Sequence, residues 1–474
     1  MGKRTRDSTE VDSDEPSAKA LREDYGSFGS SETVKSELAV FNGPSYQVTH
    51  LKGQWQEFRP VNQYQGSSGS NIIFKLTQSV GWYLDFNDTY MTITAKIVNA
   101  AGGDVADTSI VAFENFGIAT LFRDVCFSTT SQTKLEGEQQ NYHYRAYMYA
   151  LLNASHTAKK YQLSISGWAS DTAGAFEDAS IKNNTGEDKA PNKGFYYRYQ
   201  RGKASNPVQF AGQVYLDTWL QPQYFMDGQD FDLTFKLNNP EIALHCAEGD
   251  ATKYKIEILD CALYLRQVQV SPSVISGHAR GLQTHNYTVN YNGHKMFTKI
   301  IKAQGYQDVT DDFFHGVYPK CIIIGLVDHE AYQGRYSLNP YNFQAFDVNE
   351  IGLTVNGFPI PAQPYTPNYE KSLIAREYYN LFLQLNKSGF YSDDNGLTMK
   401  DFVGGNALYA FNMAPDLAIC GHAQLARLTN IRLTIKFAKA IPKPLEVVAL
   451  AIYDTSLEMT GDRRWLLDPS QSAN

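Results

Sequence analysis

The chain has 474 residues, 43% hydrophobic and 19% charged, with a formal net charge of −8. That length suits two β-domains of about 200 residues each better than one small fold. The acidic balance argues against a folded surface that holds nucleic acid, which is usually basic.

Residues 1–44 are polar and Ser-rich, with six Lys/Arg and nine Asp/Glu, and read as a disordered N-terminal arm. Lys3-Arg4-Thr5-Arg6 within it is open to two readings, a solvated terminus or a patch for nuclear import or weak DNA contact. From residue 45 the texture changes to short apolar-alternating runs punctuated by Gly, Asn, Asp and Pro. Tyr90–Ile97, Asp232–Leu237, Cys321–Val327 and Glu446–Tyr453 carry strand signatures: period two where one face is wet, continuous where both are dry. Candidate helices are few: Tyr144–Asn153 is the clearest, and Tyr369–Leu385, with apolar residues at helical spacing, is a second. The stretches 100–110, 168–206 and 280–315 read as loops, and Pro359, Pro361, Pro364 and Pro367 as a rigid linker after a hairpin or an arm reaching a neighbour. Arg463-Arg464-Trp465-Leu466-Leu467, in a tail over 461–474, reads as a Trp anchor for a neighbour or a frayed end.

A weak repeat runs through this pattern. Leu233-Thr234-Phe235-Lys236-Leu237 returns 200 residues later as Leu433-Thr434-Ile435-Lys436-Phe437. Ile256-Glu257-Ile258 with Ala262-Leu263-Tyr264 returns as Leu445-Glu446-Val447 with Ala451-Ile452-Tyr453, and Val214-Tyr215-Leu216 has a counterpart in Leu408–Phe411. Each match alone is only a strand pattern, but three in the same order point to two tandem copies of one β-domain.

No catalytic constellation appears. His329-Glu330 is followed by Gln333 where a zinc-binding HExxH helix needs His, no GxSxG elbow occurs, and Gly202-Lys203 has Tyr197 where a phosphate loop needs Gly. His285 and His294 read as loop residues. Asp308-Val309-Thr310-Asp311-Asp312 and Asp393-Asp394-Asn395-Gly396 lack calcium-loop spacing, and the second reads as a turn. The five cysteines, Cys126, Cys246, Cys261, Cys321 and Cys420, form no CxxC pair, so neither a disulfide framework nor a zinc site is indicated. No signal peptide and no transmembrane helix are expected. Catalytic, cofactor and metal residues are therefore expected to be none. A carboxylate pair assembled in space remains open, because sequence does not show proximity.

A set of strings taken in order carries a family resemblance. Ser36-Glu37-Leu38 and Gly53-Gln54-Trp55 come first, then Tyr83–Tyr90 and Tyr142-His143-Tyr144-Arg145-Ala146-Tyr147. Leu265–Val274, Gly325-Leu326-Val327-Asp328 and Asn339-Pro340-Tyr341-Asn342-Phe343 come next. Val355–Pro361, Asp394-Asn395-Gly396 and Phe411–Asp416 close the set. In this order they resemble the major capsid proteins of Polinton (Maverick) elements and adintoviruses, over roughly residues 36–462.

The resemblance implies an all-β fold of two tandem antiparallel eight-stranded jelly rolls with few short inserted helices. The divisions expected are 45–270 and 271–460. It implies a homotrimeric, pseudo-hexagonal capsomer of an icosahedral DNA-virus-like shell, meeting neighbouring capsomers and minor (penton) capsid proteins, with at most weak contact of the arm with DNA. Location would be the virion, after synthesis in the host cytoplasm, with nuclear assembly open to it. Two other readings stand beside it: a minor (penton) capsid protein, and a carbohydrate-binding or hydrolytic β-sandwich.

Overall fold

The computed structural model describes residues 46–62, 71–137, 141–182, 190–250, 252–302, 308–388, 394–417 and 422–467. The expected arm, with Lys3–Arg6, and Cys420 lie outside these residues. Thr49–Asn474 forms a compact unit of its own, and it holds every element named below.

The strands are β1 (His50–Phe58), β2 (Asn71–Leu76), β3 (Trp82–Asn99), β4 (Val111–Phe113), β5 (Phe122–Thr129), β6 (Lys134–Glu136), β7 (Val208–Gln213), β8 (Phe231–Leu237), β9 (Leu244–Cys246) and β10 (Tyr254–Val270). Then come β11 (Tyr287–Ile301), β12 (Asp308–Val317), β13 (Cys321–Asp328), β14 (Val348–Val355), β15 (Phe358–Tyr365), β16 (Leu408–Asn412), β17 (Leu428–Phe437), β18 (Leu445–Met459) and β19 (Trp465–Leu467). The first ten give sheets β1-β10-β3-β7 and β2-β8-β5-β6, with a small β4-β9 ribbon. The rest give β11-β18-β13-β16 and β12-β17-β14-β15, with β19 added to β18.

The same order recurs in both halves: each is a sandwich of two four-stranded antiparallel sheets with jelly-roll connectivity. Equivalence extends to single residues. In the first half Lys236 on β8 stands opposite Asp124 on β5, next to a bulge. In the second, Lys436 on β17 stands opposite Glu350 on β14, next to a bulge at the same place. Both pairs form ion pairs, at 3.2 and 2.9 Å. The Leu233 and Leu433 strings thus occupy one position in two copies of one sheet. β10 and β18 also correspond, whereas Val214-Tyr215-Leu216 falls just past β7, the true counterpart of β16.

Patterning explains burial. β8 and β17 alternate buried and part-exposed residues because one face packs inward and the other meets water. All eight residues of β13 are buried, as are the first nine of β18. The reason is that sheet β11-β18-β13-β16 is dry on both sides. Ile322, Ile324, Val447 and Ala449 pack into the second sandwich. Ile323, Leu408, Val448 and Leu450 join an apolar cluster continuous with the first. Gly325 shows how close this packing is: a Cβ there would stand 2.5 Å from Phe343 Cδ1 and 2.8 Å from Leu408 Cδ2. Gly325→Ala is expected to cost about 1–3 kcal/mol by overpacking, seen as a lower melting temperature; no change would mean that Phe343 and Leu408 yield freely.

Several expectations need correction. Residues 280–315 are chiefly the strands β11 and β12, and 168–206 holds the helix Lys193–Gly202. A further helix, Pro272–Gly281, with Pro at its first position, joins the two rolls. Pro359, Pro361 and Pro364 are not in a linker: Phe358–Tyr365 is an edge strand hairpinned to β14, where a missing N–H costs least. The helix expected over 369–385 spans Ala375–Gln384.

Candidate assembly site

The seam between the rolls centres on the helix Tyr142–Asn153, in the connection from β6 to β7. Ten of its twelve residues are buried, the mark of a helix enclosed on all sides rather than lying on a surface. Tyr144 Oη donates to the Pro340 carbonyl at 2.9 Å, and the Tyr147 ring stacks on Tyr341 at 4.4 Å. His143 Nδ1 lies 2.9 Å from Tyr341 Oη. The tyrosines Tyr142, Tyr144, Tyr147 and Tyr149 are thus core and seam, with only Tyr149 partly exposed.

Arg145 is the charged centre of this seam. Its guanidinium donates to Glu136 Oε1 at 2.6 Å, to Asp217 Oδ2 at 3.1 Å and to the Tyr215 carbonyl. Asp217 also accepts from the His294 backbone N–H at 2.7 Å and from Nδ1 at 2.8 Å. Glu136 accepts from the Asp217 and Thr218 N–H groups and from the Thr218 hydroxyl. All four side chains are buried. Burial opposes charge on Arg145, but Asp217 and Glu136 outweigh it and raise its pKa. Burial likewise pushes the Asp217 carboxyl up, and Arg145 and His294 more than offset it, holding the carboxyl below its usual range. Because His294 lies on β11, the cluster ties the first roll to the second. The reading of His294 as a loop residue is corrected: it is a buried strand residue.

A second buried cluster sits in the first roll and is touched by the second, where Asn339 Nδ2 donates to Asp171 Oδ2 at 3.4 Å. Arg198 donates to the carbonyls of Phe113 and Ala169 and to Asp171 Oδ1 at 2.8 Å. Glu114 lies behind it, 3.9 Å from Arg198 and 3.3 Å from His245 Nδ1. Sequence reasoning missed both clusters. The one signal was a charged residue set in an apolar run, as Arg145 is among Tyr142, Tyr144 and Tyr147.

The other candidates scatter. His285 is exposed, and its ring lies 2.8 Å from the Thr284 hydroxyl. Asp312 pairs with Arg432 at 2.8 Å, and His329 with Glu446 at 2.8 Å. Lys203 comes directly after the helix Lys193–Gly202, in a short turn over Lys203–Ser205. Cys246, Cys261 and Cys321 are buried free thiols. Among the described residues no group of three or more His, Cys, Asp or Glu could hold a metal ion, and no helix is long and apolar enough to cross a membrane. Trp465 is no anchor for a neighbour: β19 pairs with β18, and the buried indole meets Phe225 and Tyr287 while Nε1 donates to Gln229 at 3.2 Å.

Two groups of exposed apolar side chains lie on the sheets. On the outer face of β1-β10-β3-β7, Trp55 lies under Arg266 and beside the stacked pair Tyr90–Tyr264. At one end of β12-β17-β14-β15, Phe358 and Leu428 are more than 70% exposed, with Leu425 nearby in sequence. No pocket with two free, facing carboxylates accompanies them among the described residues.

No family model matches the chain. An uncharacterized protein of Caenorhabditis elegans is 21% identical over 430 residues, 90% of this chain and 99% of that relative. A chain of the Sputnik virophage, seen by cryo-EM, aligns over 93% of both chains at 13% identity with a TM-score of 0.58. PBCV-1 VP54, a crystal structure fitted into a reconstruction of Sputnik, aligns over 90% of this chain and 98% of its own at 9% identity, TM-score 0.51. The fold is the double jelly roll.

Proposed function

We propose that this chain is a non-enzymatic major capsid protein of the Polinton (Maverick) or adintovirus type. The observation that carries the reading is the repeat: one jelly-roll topology, with one bulge and one ion pair in register, occurs twice in a single chain. Two similar domains in each of three subunits give six similar edges, so a homotrimer can fill a sixfold-like lattice position. A buried, ion-paired seam between the rolls suits a subunit that must hold both at a fixed angle. The likeness to a chain of the Sputnik virophage supports the same reading. A minor (penton) protein would need only one roll.

In this reading the rolls are 45–270 and 271–460. The exposed aromatic and aliphatic residues meet other subunits, and an obligate interface of that kind commonly buries more than about 2,000 Å². Neighbouring capsomers and penton proteins are the partners, and the virion is the location. The arm, residues 1–44, is too polar to join the trimer core and lies inward or beneath adjacent capsomers.

The test is electron microscopy and light scattering on the full-length protein and on a chain starting at Ser45. Full-length protein is expected to give trimers or closed particles, and the truncated chain to keep trimers and lose particles. A truncated chain that becomes monomeric would place the arm in the trimer core. A full-length protein that stays a dispersed monomer at micromolar concentration would sink the capsomer reading.

A further inference from the structure

His245, in the middle of β9, is buried with both ring nitrogens set against oxygen. Nδ1 stands 3.3 Å from Glu114 Oε1, and Nε2 stands 3.4 Å from the Glu177 carbonyl. Neither Nδ1 nor Glu114 Oε1 has a hydrogen-bond partner elsewhere among the described residues. The other carboxylate oxygen, Oε2, accepts from the Asn115 N–H at 3.3 Å. Two buried atoms without other partners thus face each other.

A neutral imidazole has one N–H and one lone pair. With the proton on Nδ1, the Nε2 lone pair would point at the Glu177 carbonyl. With the proton on Nε2, the Nδ1 lone pair would point at the Glu114 carboxylate. Either tautomer presses two acceptors together in a buried site, which is heavily penalised. A ring protonated on both nitrogens donates to both oxygens. The Asn115 N–H and the Arg198 guanidinium, 3.9 Å from Oε2, favour the ionised form of Glu114 over the acid, which puts the second proton on the ring.

Charge points the same way. Arg198 faces two buried carboxylates, Asp171 and Glu114. Without a second cation the group carries net negative charge in a dry space, which is costly. An imidazolium at His245 brings the sum to zero. Burial pushes the Asp171 carboxyl up against the pull of Arg198, and Glu114 adds to the push, so the crowding is felt there too. The remaining ionisable neighbours do not supply the cation. Burial pushes the hydroxyls of Tyr144, Tyr147 and Tyr341 far up and the Cys246 thiol up to about 12, and all four stay neutral.

The same residues hold the second roll. Glu177 Oε1 accepts from Asn342 and Gln344 at 3.0 and 3.1 Å, and Asp171 accepts from Asn339 at 3.4 Å. Loss of the ring proton would leave two carboxylates to one guanidinium. It would also set a bare nitrogen against the Glu114 carboxylate or the Glu177 carbonyl. We infer that His245 is a buried imidazolium paired with Glu114, and that its deprotonation in alkaline solution loosens the junction between the two rolls. The inference concerns one subunit and does not depend on the shell reading. In the unfolded chain a histidine gives up its proton near pH 6.5. A proton that the fold keeps above that value adds stability that is complete below it and is lost as pH rises.

Solid-state NMR of sedimented full-length protein carrying isotope-labelled histidine counts the ring protons, with the His245 signal identified by its loss in His245→Gln. Both nitrogens are expected to carry a proton at neutral pH, and one bare nitrogen there overturns the inference. Thermal melting of the parent and of Glu114→Gln is then followed from about pH 6.5 to about pH 8.5. The variant leaves one carboxylate for Arg198 and offers an amide N–H to Nδ1 of a neutral ring, so its melting temperature should change little. That of the parent should drop by about 3 °C more, the shift expected for one proton over about two pH units in a chain of this size. Parallel curves overturn the switch. If Glu114→Gln does not fold, hydrogen exchange on the parent alone serves. Peptides covering residues 339–344, corrected for the intrinsic rate, should lose protection between neutral pH and about pH 9, and unchanged protection overturns the switch.

Discussion

Replacing Arg145 with Ala should destabilise the protein by about 3–5 kcal/mol, the usual cost of removing one partner from a buried ionic cluster. The size reflects what is left behind. Glu136 and Asp217 are both buried, and Arg145 is the cation that reaches both, at 2.6 and 3.1 Å. Without it two carboxylates share a dry space, relieved by His294, the Asp217 N–H and the Thr218 donors. Thermal melting of Arg145→Ala beside the triple variant Arg145→Met, Glu136→Gln, Asp217→Asn separates charge from packing. The triple variant should recover much of the loss, because it leaves no uncompensated charge. A single variant that melts within a degree of the parent would show that water enters the seam and solvates the carboxylates.

That cluster also marks the boundary of what sequence can tell. The strands were legible because their cause is local. In Leu233–Leu237 and Leu433–Phe437 alternate residues must be apolar, so the pattern is written in neighbouring positions. The repeat was legible for the same reason, twice over. The continuous runs Cys321–Val327 and Val447–Tyr453 could be read as dry on both faces, although not that the second face meets the other roll and its helix. The cluster of Arg145, Glu136, Asp217 and His294 draws on four distant positions, and nothing in any one of them names the others.

The misread segments have separate physical causes. Lys193–Gly202 lacks helical periodicity because Gly194 replaces an apolar side chain. A Cβ there would stand 2.5 Å from the Ser170 carbonyl oxygen, so the helix fits only by having none. The capping bond that starts it, from the Phe195 N–H to Asn192, lies in a stretch rich in Asn, Gly and Lys that resembles a loop. Residues 287–301 hide a strand because Asn290, Asn292, Gly293 and His294 interrupt the apolar alternation. One of these, His294, is polar in order to reach Asp217. The prolines of β15 suggested a linker because proline is foreign to central strands; an edge position removes the conflict.

Acid should loosen the same seam through His143. This imidazole is fully enclosed; burial, with a smaller push from Arg123, lowers its pKa to about 3. In the unfolded chain a histidine titrates near 6.5. Between those values the unfolded state takes up a proton that the folded state refuses, so stability falls as pH drops from about 6.5 and the loss is complete only near pH 3. Each unit of that gap is worth about 1.4 kcal/mol, which makes the penalty about 3 kcal/mol at pH 4. His143→Gln keeps a polar group within reach of the Tyr341 hydroxyl and removes the titration. It should melt below the parent at pH 7.5, where the native imidazole fits better. Its melting temperature should then fall less steeply between pH 6.5 and 4, so that the two curves converge or cross. The buried Asp217, whose carboxyl is held low, loses its stabilisation only as pH falls below the ordinary carboxylate range, so it cannot mimic a slope that begins near pH 6.5. Parallel curves for parent and variant over that interval would mean that His143 is protonated inside the fold, which would require Tyr341 to turn its oxygen lone pair toward the ring and water to reach the seam.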